Sequence, residues 1–140
     1  MTISGAARAR IRDRAKARCS YCQLPEICVY APMEIDHIIP IAAGGTDDEA
    51  NLCYACPLCN GNKHDHSEGY DERTDTYLTL FNPNTQQWSD HFAWDKNRAT
   101  ILGQTPQGQV TVDVLKINQP TAVAFRLLMV ELGLYPPDLD

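Results

Sequence analysis

The stretch from Ile35 to Lys63, IDHIIPIAAGGTDDEANLCYACPLCNGNK, decides the fold. It opens on the dipeptide Asp36-His37, passes Asn51-Leu52, and closes on Cys56-x-x-Cys59 with Asn60 and Lys63 behind it. Upstream stands a second pair, Cys19-x-x-Cys22. Each such knuckle can put two thiolates on one tetrahedral Zn2+, and two knuckles close the site. Cys19, Cys22, Cys56 and Cys59 are therefore the expected ligands of a structural zinc, with 33 residues between the two pairs. A redox dithiol is the competing reading of one C-x-x-C pair, and the presence of two favours zinc. Cys28 and Cys53 lack partners at ligand spacing and read as small buried hydrophobes. Cys53 still overlaps in spacing with Cys56 and Cys59.

The residues between the knuckles carry different chemistry. A neutral imidazole can accept a proton from water near neutral pH, which makes His37 a candidate base. Asp36 offers a carboxylate and Asn60 an amide oxygen, hard donors suited to Mg2+ or Mn2+. Met33 to Ile39 reads as a short strand with Glu34, Asp36 and Ile38 on one face and Ile35, His37 and Ile39 on the other. Pro40 ends it or leaves it at an edge. Ala42 to Thr46 is a turn, Asp47 to Asn51 a polar loop, and Asn51 to Ala55 a second strand that pairs back. A helix is expected to begin near Cys59 and Asn60 and to fade before Gly69. On it Lys63 shares a side with Asn60 and is a candidate phosphate contact.

In order, dipeptides and spacing, this constellation resembles the HNH nucleases. The resemblance implies an α+β fold: a ββα-metal (HNH) core stabilised by the four-cysteine zinc site, with an N-terminal basic helix before it and a C-terminal strand/helix extension behind. It divides one domain into residues 1–18, 19–68 and 69–140. It further implies a divalent-metal-dependent endonuclease that hydrolyses phosphodiester bonds in DNA, with double-stranded DNA the favoured partner. His37 would be the general base, Asp36 and Asn60 would hold Mg2+ or Mn2+, and Asn51 would brace the loop and help to orient the histidine. The tail runs LFNPNTQQWSDHFAW, TPQGQVTV and GLYPP are similar to the downstream half of a group of bacterial HNH endonucleases.

Outside the motif, 140 residues with 44% hydrophobic and 21% charged content are ordinary for one globular domain. No apolar run resembles a signal peptide or approaches a membrane span, so a cytoplasmic setting without membrane contact is expected, where thiols stay reduced. Net charge is −6, awkward for a partner made of phosphates. Yet six of the twelve Lys and Arg lie between Arg8 and Arg18, beside the single acid Asp13. Residues 5–18 are rich in helix formers. As one helix they would align Arg8, Arg12 and Lys16 in a stripe that could grip nucleic acid, or simply lead, solvated, into the first knuckle.

Downstream, Trp88, Phe92 and Trp94 suggest one face of a strand with a packed His91 on the other. Ile101-Leu102 suggests a further strand, Thr105 to Gly108 a turn, and Val110 to Ile117 either strand or helix. Pro120 is placed to start a helix that Gly133 stops. His64 and His66 read as decoration of a helix end. Two rival functions remain to be weighed. A non-catalytic zinc-stabilised nucleic-acid-binding module would have no use for Asp36, His37 and Asn60. A zinc deaminase needs H-x-E ahead of its cysteine pair, and His37 is followed by Ile38-Ile39.

Overall fold

The computed structural model describes residues 3–139. Helix α1 (Gly5–Arg14) is capped by the Ser4 hydroxyl, which accepts from the Ala7 amide at 3.1 Å. It stops earlier than its composition suggests. Lys16 and Ala17 both take positive φ, 56° and 55°, turning the chain into a bridge between Arg18 and Pro25 that frames the first knuckle. Two consecutive left-handed residues without glycine are strained and invisible to propensity. The expected stripe of Arg8, Arg12 and Lys16 is therefore corrected: Lys16 lies beyond the helix.

Strand β1 (Glu34–His37) pairs antiparallel with β2 (Leu52–Ala55), Asp36 opposite Cys53 and His37 opposite Leu52. Helix α2 (Pro57–Lys63) follows at once, with Cys56 as N-cap and Pro57 in its first turn. It begins two residues before Cys59, where the start was expected, because proline's fixed φ suits that position. Together these form the ββα unit.

The rest is a mixed extension. Strands β3 (Glu68–Asp71) and β4 (Thr76–Thr79) make a hairpin that no clear pattern of residues announces. Trp88 does not extend a strand with Phe92; it starts the short helix α3 (Trp88–His91), after which β5 (Phe92–Trp94) pairs with β6 (Ile101–Gly103). The turn expected at Thr105 is the start of helix α4 (Pro106–Leu115), capped by the Thr105 hydroxyl at 3.0 Å from the Gly108 amide. Helix α5 (Pro120–Glu131) runs as expected, and Gly133 follows it with a φ of 73°. One continuous core joins Ile11, the zinc-ligand cysteines, Leu52, Phe81, Trp88, Phe92, Val110 and Tyr135. Among the described residues no helix is long and apolar enough to cross a membrane.

Candidate metal centre and catalytic cleft

The two knuckles meet. Cys19, Cys22, Cys56 and Cys59 are all buried, and their sulfurs lie within 4.8 Å of one another, Cys22 and Cys56 at 3.9 Å. Four thiolates around one zinc at bond lengths of about 2.3 Å stand about 3.8 Å apart, so the donor set fits that ion. Backbone amides support it. Tyr21 N–H points at Cys19 Sγ and Cys59 N–H at Cys56 Sγ, both at 3.4 Å. Hydrogen bonding among the sulfurs, Cys19 first, together with burial pushes the Cys22 and Cys59 thiols well above their ordinary range. At Cys19 burial is outweighed by the same bonds from Cys22, Cys56 and Cys59, which pull its thiol well below that range, so the cluster favours one thiolate and a cation would be needed to hold more.

Alternation along β1 sends Asp36 and His37 to opposite faces. On the Asp36 face, Glu34 and Asp36 are two residues apart and meet Asn60 and Lys63, three apart on α2. Asn60 Nδ2 donates to Glu34 Oε1 at 2.7 Å, and Lys63 Nζ donates to Asp36 Oδ1 at 3.1 Å. The lysine also donates to the His37 carbonyl at 2.8 Å, and the Tyr21 hydroxyl donates to Asp36 Oδ2 at 2.6 Å. Tyr21 and Lys63 are fully buried and Asp36 nearly so. Burial raises the Asp36 pKa, opposed by the Lys63 charge and the Tyr21 hydrogen bond. Lys63 is thus corrected from a phosphate contact to an internal counter-ion, since an enclosed ammonium cannot meet solvent-borne phosphate.

On the other face His37 Nε2 lies 2.9 Å from Asp47 Oδ1. Asn51 does not touch the ring. Its Oδ1 accepts from Ile39 N–H at 2.9 Å, and its Nδ2 donates to the carbonyls of Ile39 and Thr46 at 2.9 and 2.8 Å. The loop bracing expected of Asn51 is present, and any effect on the histidine passes through that loop.

A cleft of about 330 Å³ is lined by Asp36, His37, Pro40, Asn60, His64 and Asp65, among others. It gathers a carboxylate, an amide and imidazoles, the donor chemistry of a hard divalent cation. Asn60 stands at its edge. Asp36 borders it, but its carboxylate is buried on Tyr21 and Lys63, so a cation taking Asp36 must displace the Lys63 ammonium. His64 is exposed, its Nδ1 accepting from Asp65 N–H at 2.7 Å, and His66 Nδ1 lies 2.9 Å from the Lys63 carbonyl.

Arg10, Arg12 and Arg14 of α1 stay exposed and Arg8 partly so, but all are engaged by partners within the protein. Arg8 donates to the Met33 carbonyl at 2.5 Å, Arg12 pairs with Glu26 at 2.8 Å, Arg10 pairs with Glu49, and Arg14 donates to the Leu52 carbonyl at 2.7 Å. Sequence reasoning missed Tyr21, Glu34 and Asp47. Only Glu34 had a signal, its place two residues before Asp36 on the same strand face.

A strand pair and a helix, gathered around four thiols and bearing a histidine at the strand's end, define a ββα module with a four-cysteine site that fits zinc. Residues 19–66, from the first zinc-ligand cysteine through His66, match the family model for HNH endonuclease, so this segment is an HNH module. No curated protein and no solved structure matches the chain.

Proposed function

We propose that the protein is an HNH endonuclease that hydrolyses phosphodiester bonds of DNA, with His37 as the general base. The observation that carries this reading is the position of His37. It ends the strand of an HNH module and lines a cleft with Asp36 and Asn60. Hydrolysis needs a proton acceptor for the attacking water and positive charge for the phosphate oxygens. Asp36 and Asn60 would hold Mg2+ or Mn2+, which would polarise the scissile phosphate. The chain's own part is to keep the imidazole at the cleft and its proton acceptor toward solvent. Zinc on the four cysteines would be structural, because four thiolates leave no open position. Six cysteines outside any disulfide, four of them gathered as metal ligands, support a cytoplasmic setting.

Double-stranded DNA is the substrate we favour, approached along α1. The Arg10–Glu49 and Arg12–Glu26 pairs are solvent-exposed on the arginine side, so phosphate can compete for those guanidinium groups. A non-catalytic nucleic-acid-binding module is the second reading, and the closed Asp36–Lys63 pair is the observation that favours it.

Plasmid cleavage decides between them. Protein dialysed free of loosely bound divalent ions, with the four-cysteine zinc left in place, is incubated with supercoiled plasmid, then given Mg2+, Mn2+ or Zn2+. Cleavage should appear with a divalent ion and be lost in His37→Ala, by about a hundred- to ten-thousand-fold for a missing general base. No cleavage with any ion, alongside intact DNA binding, would leave the binding module as the function.

A further inference from the structure

We propose that Asp47 is a positioning residue for His37, fixing the imidazole tautomer and ring orientation. The inference rests on the reading of His37 as the base and adds the group that sets it. An ionised carboxylate only accepts hydrogen bonds, so at 2.9 Å from Asp47 Oδ1 the proton must sit on His37 Nε2. A neutral imidazole protonated on Nε2 keeps its lone pair on Nδ1. Proton acceptance from water is thereby assigned to Nδ1, and a ring flip that would present the other nitrogen loses the hydrogen bond.

Asp47 is exposed. The loop that carries it is built to hold it in place. Gly44 takes a φ of 91°, and Gly45 lies so close beneath Ile39 that an added Cβ would stand 1.7 Å from the Ile39 carbonyl oxygen. The chain can fold down onto the end of β1 only with glycine there. Asn51 then ties the fold shut with its bonds to both backbone groups of Ile39 and to the Thr46 carbonyl, the residue directly before Asp47. On the far side, the single 3-10 turn Glu49–Asn51 is anchored by Arg10 on the Glu49 carboxylate and by Arg14 on its carbonyl at 3.2 Å. Asp47 sits between two pinned points. The side chain of His37 is only 24% exposed, so the ring has few other orientations to choose.

A positioned acid and a merely repulsive surface acid predict opposite kinetics. If Asp47 does no more than add negative charge near the phosphates, Asp47→Ala and Asp47→Asn should both lower KM and leave kcat alone. As a positioning residue, Asp47→Ala should lower kcat about 10- to 100-fold, the usual scale for a partner that orients a functional imidazole. Asp47→Asn should restore much of that, since its amide oxygen can accept the same Nε2–H bond.

The decisive measurement needs no turnover. Long-range nitrogen–proton NMR of His37, assigned with His37→Ala among the four histidines, reports which ring nitrogen carries the proton at a pH where the ring is neutral. The parent and Asp47→Asn should show the Nε2–H form, and Asp47→Ala a mixture. An unchanged tautomer in Asp47→Ala, or a drop in KM without a change in kcat, overturns the inference. If His37→Ala cleaves plasmid like the parent while the tautomer still follows Asp47, the reading of His37 as the general base fails and the positioning contact stands.

Discussion

At the scale of single residues, the Asp36–Lys63 pair shows how much chemistry a spacing leaves undecided. A buried ion pair is a poor source of net stability, but removing one member strands the other charge away from water. Lys63→Met should therefore cost about 3–5 kcal/mol, read as a lowered denaturant midpoint. Adding Asp36→Asn to it should recover part of the loss, because the stranded carboxylate is gone. A Lys63→Met protein as stable as the parent would mean that water or another cation already serves Asp36. The motif made legible that Asp36, His37 and Asn60 border one cleft, with Lys63 bonded to Asp36 behind it and Asn51 bonded into the loop after the strand. It did not make legible how each is satisfied. Tyr21 supplies the hydroxyl that closes Asp36, and nothing in Cys-Ser-Tyr-Cys marks the middle tyrosine as a hydrogen-bond donor to a strand fifteen residues on. Asp47 escaped for a related reason, since its partner His37 lies across a loop whose path two glycines set.

At the scale of elements, α1 was legible in existence and misjudged in length and allegiance. Composition marks Gly5 onward as helical, and Ser4 caps it, but the stop at Arg14 comes from the knuckle that must follow. Its arginines looked like a free cationic stripe because sequence cannot show Glu26 and Glu49 arriving beneath them. That pairing makes an acid prediction. The Glu26 carboxyl is held below its ordinary value of 4.5, first by the Arg12 hydrogen bond and then by Tyr54, and Arg10 does the same to Glu49. A depressed folded pKa contributes stability that is present above the unfolded value and is lost as pH falls through the folded one. Docking of α1 should thus weaken below pH 4.5, seen as faster amide hydrogen exchange in residues 5–14, and Glu26→Gln should flatten that dependence. The same helix bears on DNA binding. Replacing Arg8, Arg12 and Lys16 by Gln should weaken DNA affinity and lower its salt slope if phosphate competes for these groups. An unchanged slope would assign α1 wholly to the fold.

At the scale of the whole molecule, the C-terminal extension explains itself by what it touches. Trp88 Nε1 donates to the Tyr21 carbonyl, and the Tyr135 hydroxyl donates to the Cys22 carbonyl while accepting from Trp94 Nε1, each at 2.7 Å. The first knuckle is therefore held from both sides, by sulfur toward α2 and by backbone carbonyls toward the tail. Sequence patterns could show that Trp88, Trp94 and Tyr135 belonged to a core, but not that they close on a zinc knuckle some 70 to 110 residues earlier, because contacts of that separation leave no local period. The consequence is a coupling between metal and tail. A structural zinc on the four cysteines would contribute its binding free energy to folding, and removing it would leave four buried thiols crowded against one another. Chelation, or Cys56→Ser, should then loosen the knuckle and release Trp88 from the Tyr21 carbonyl. Tryptophan emission should shift to the red in step with zinc loss, and thermal stability should fall sharply. Tyr135→Phe should lower stability by about 1–3 kcal/mol, the cost of a buried group left unpaired, while keeping its zinc. Emission that stays constant as the zinc is withdrawn would show that the tail folds around the aromatic cluster alone, and that the knuckle depends on the tail without supporting it in return.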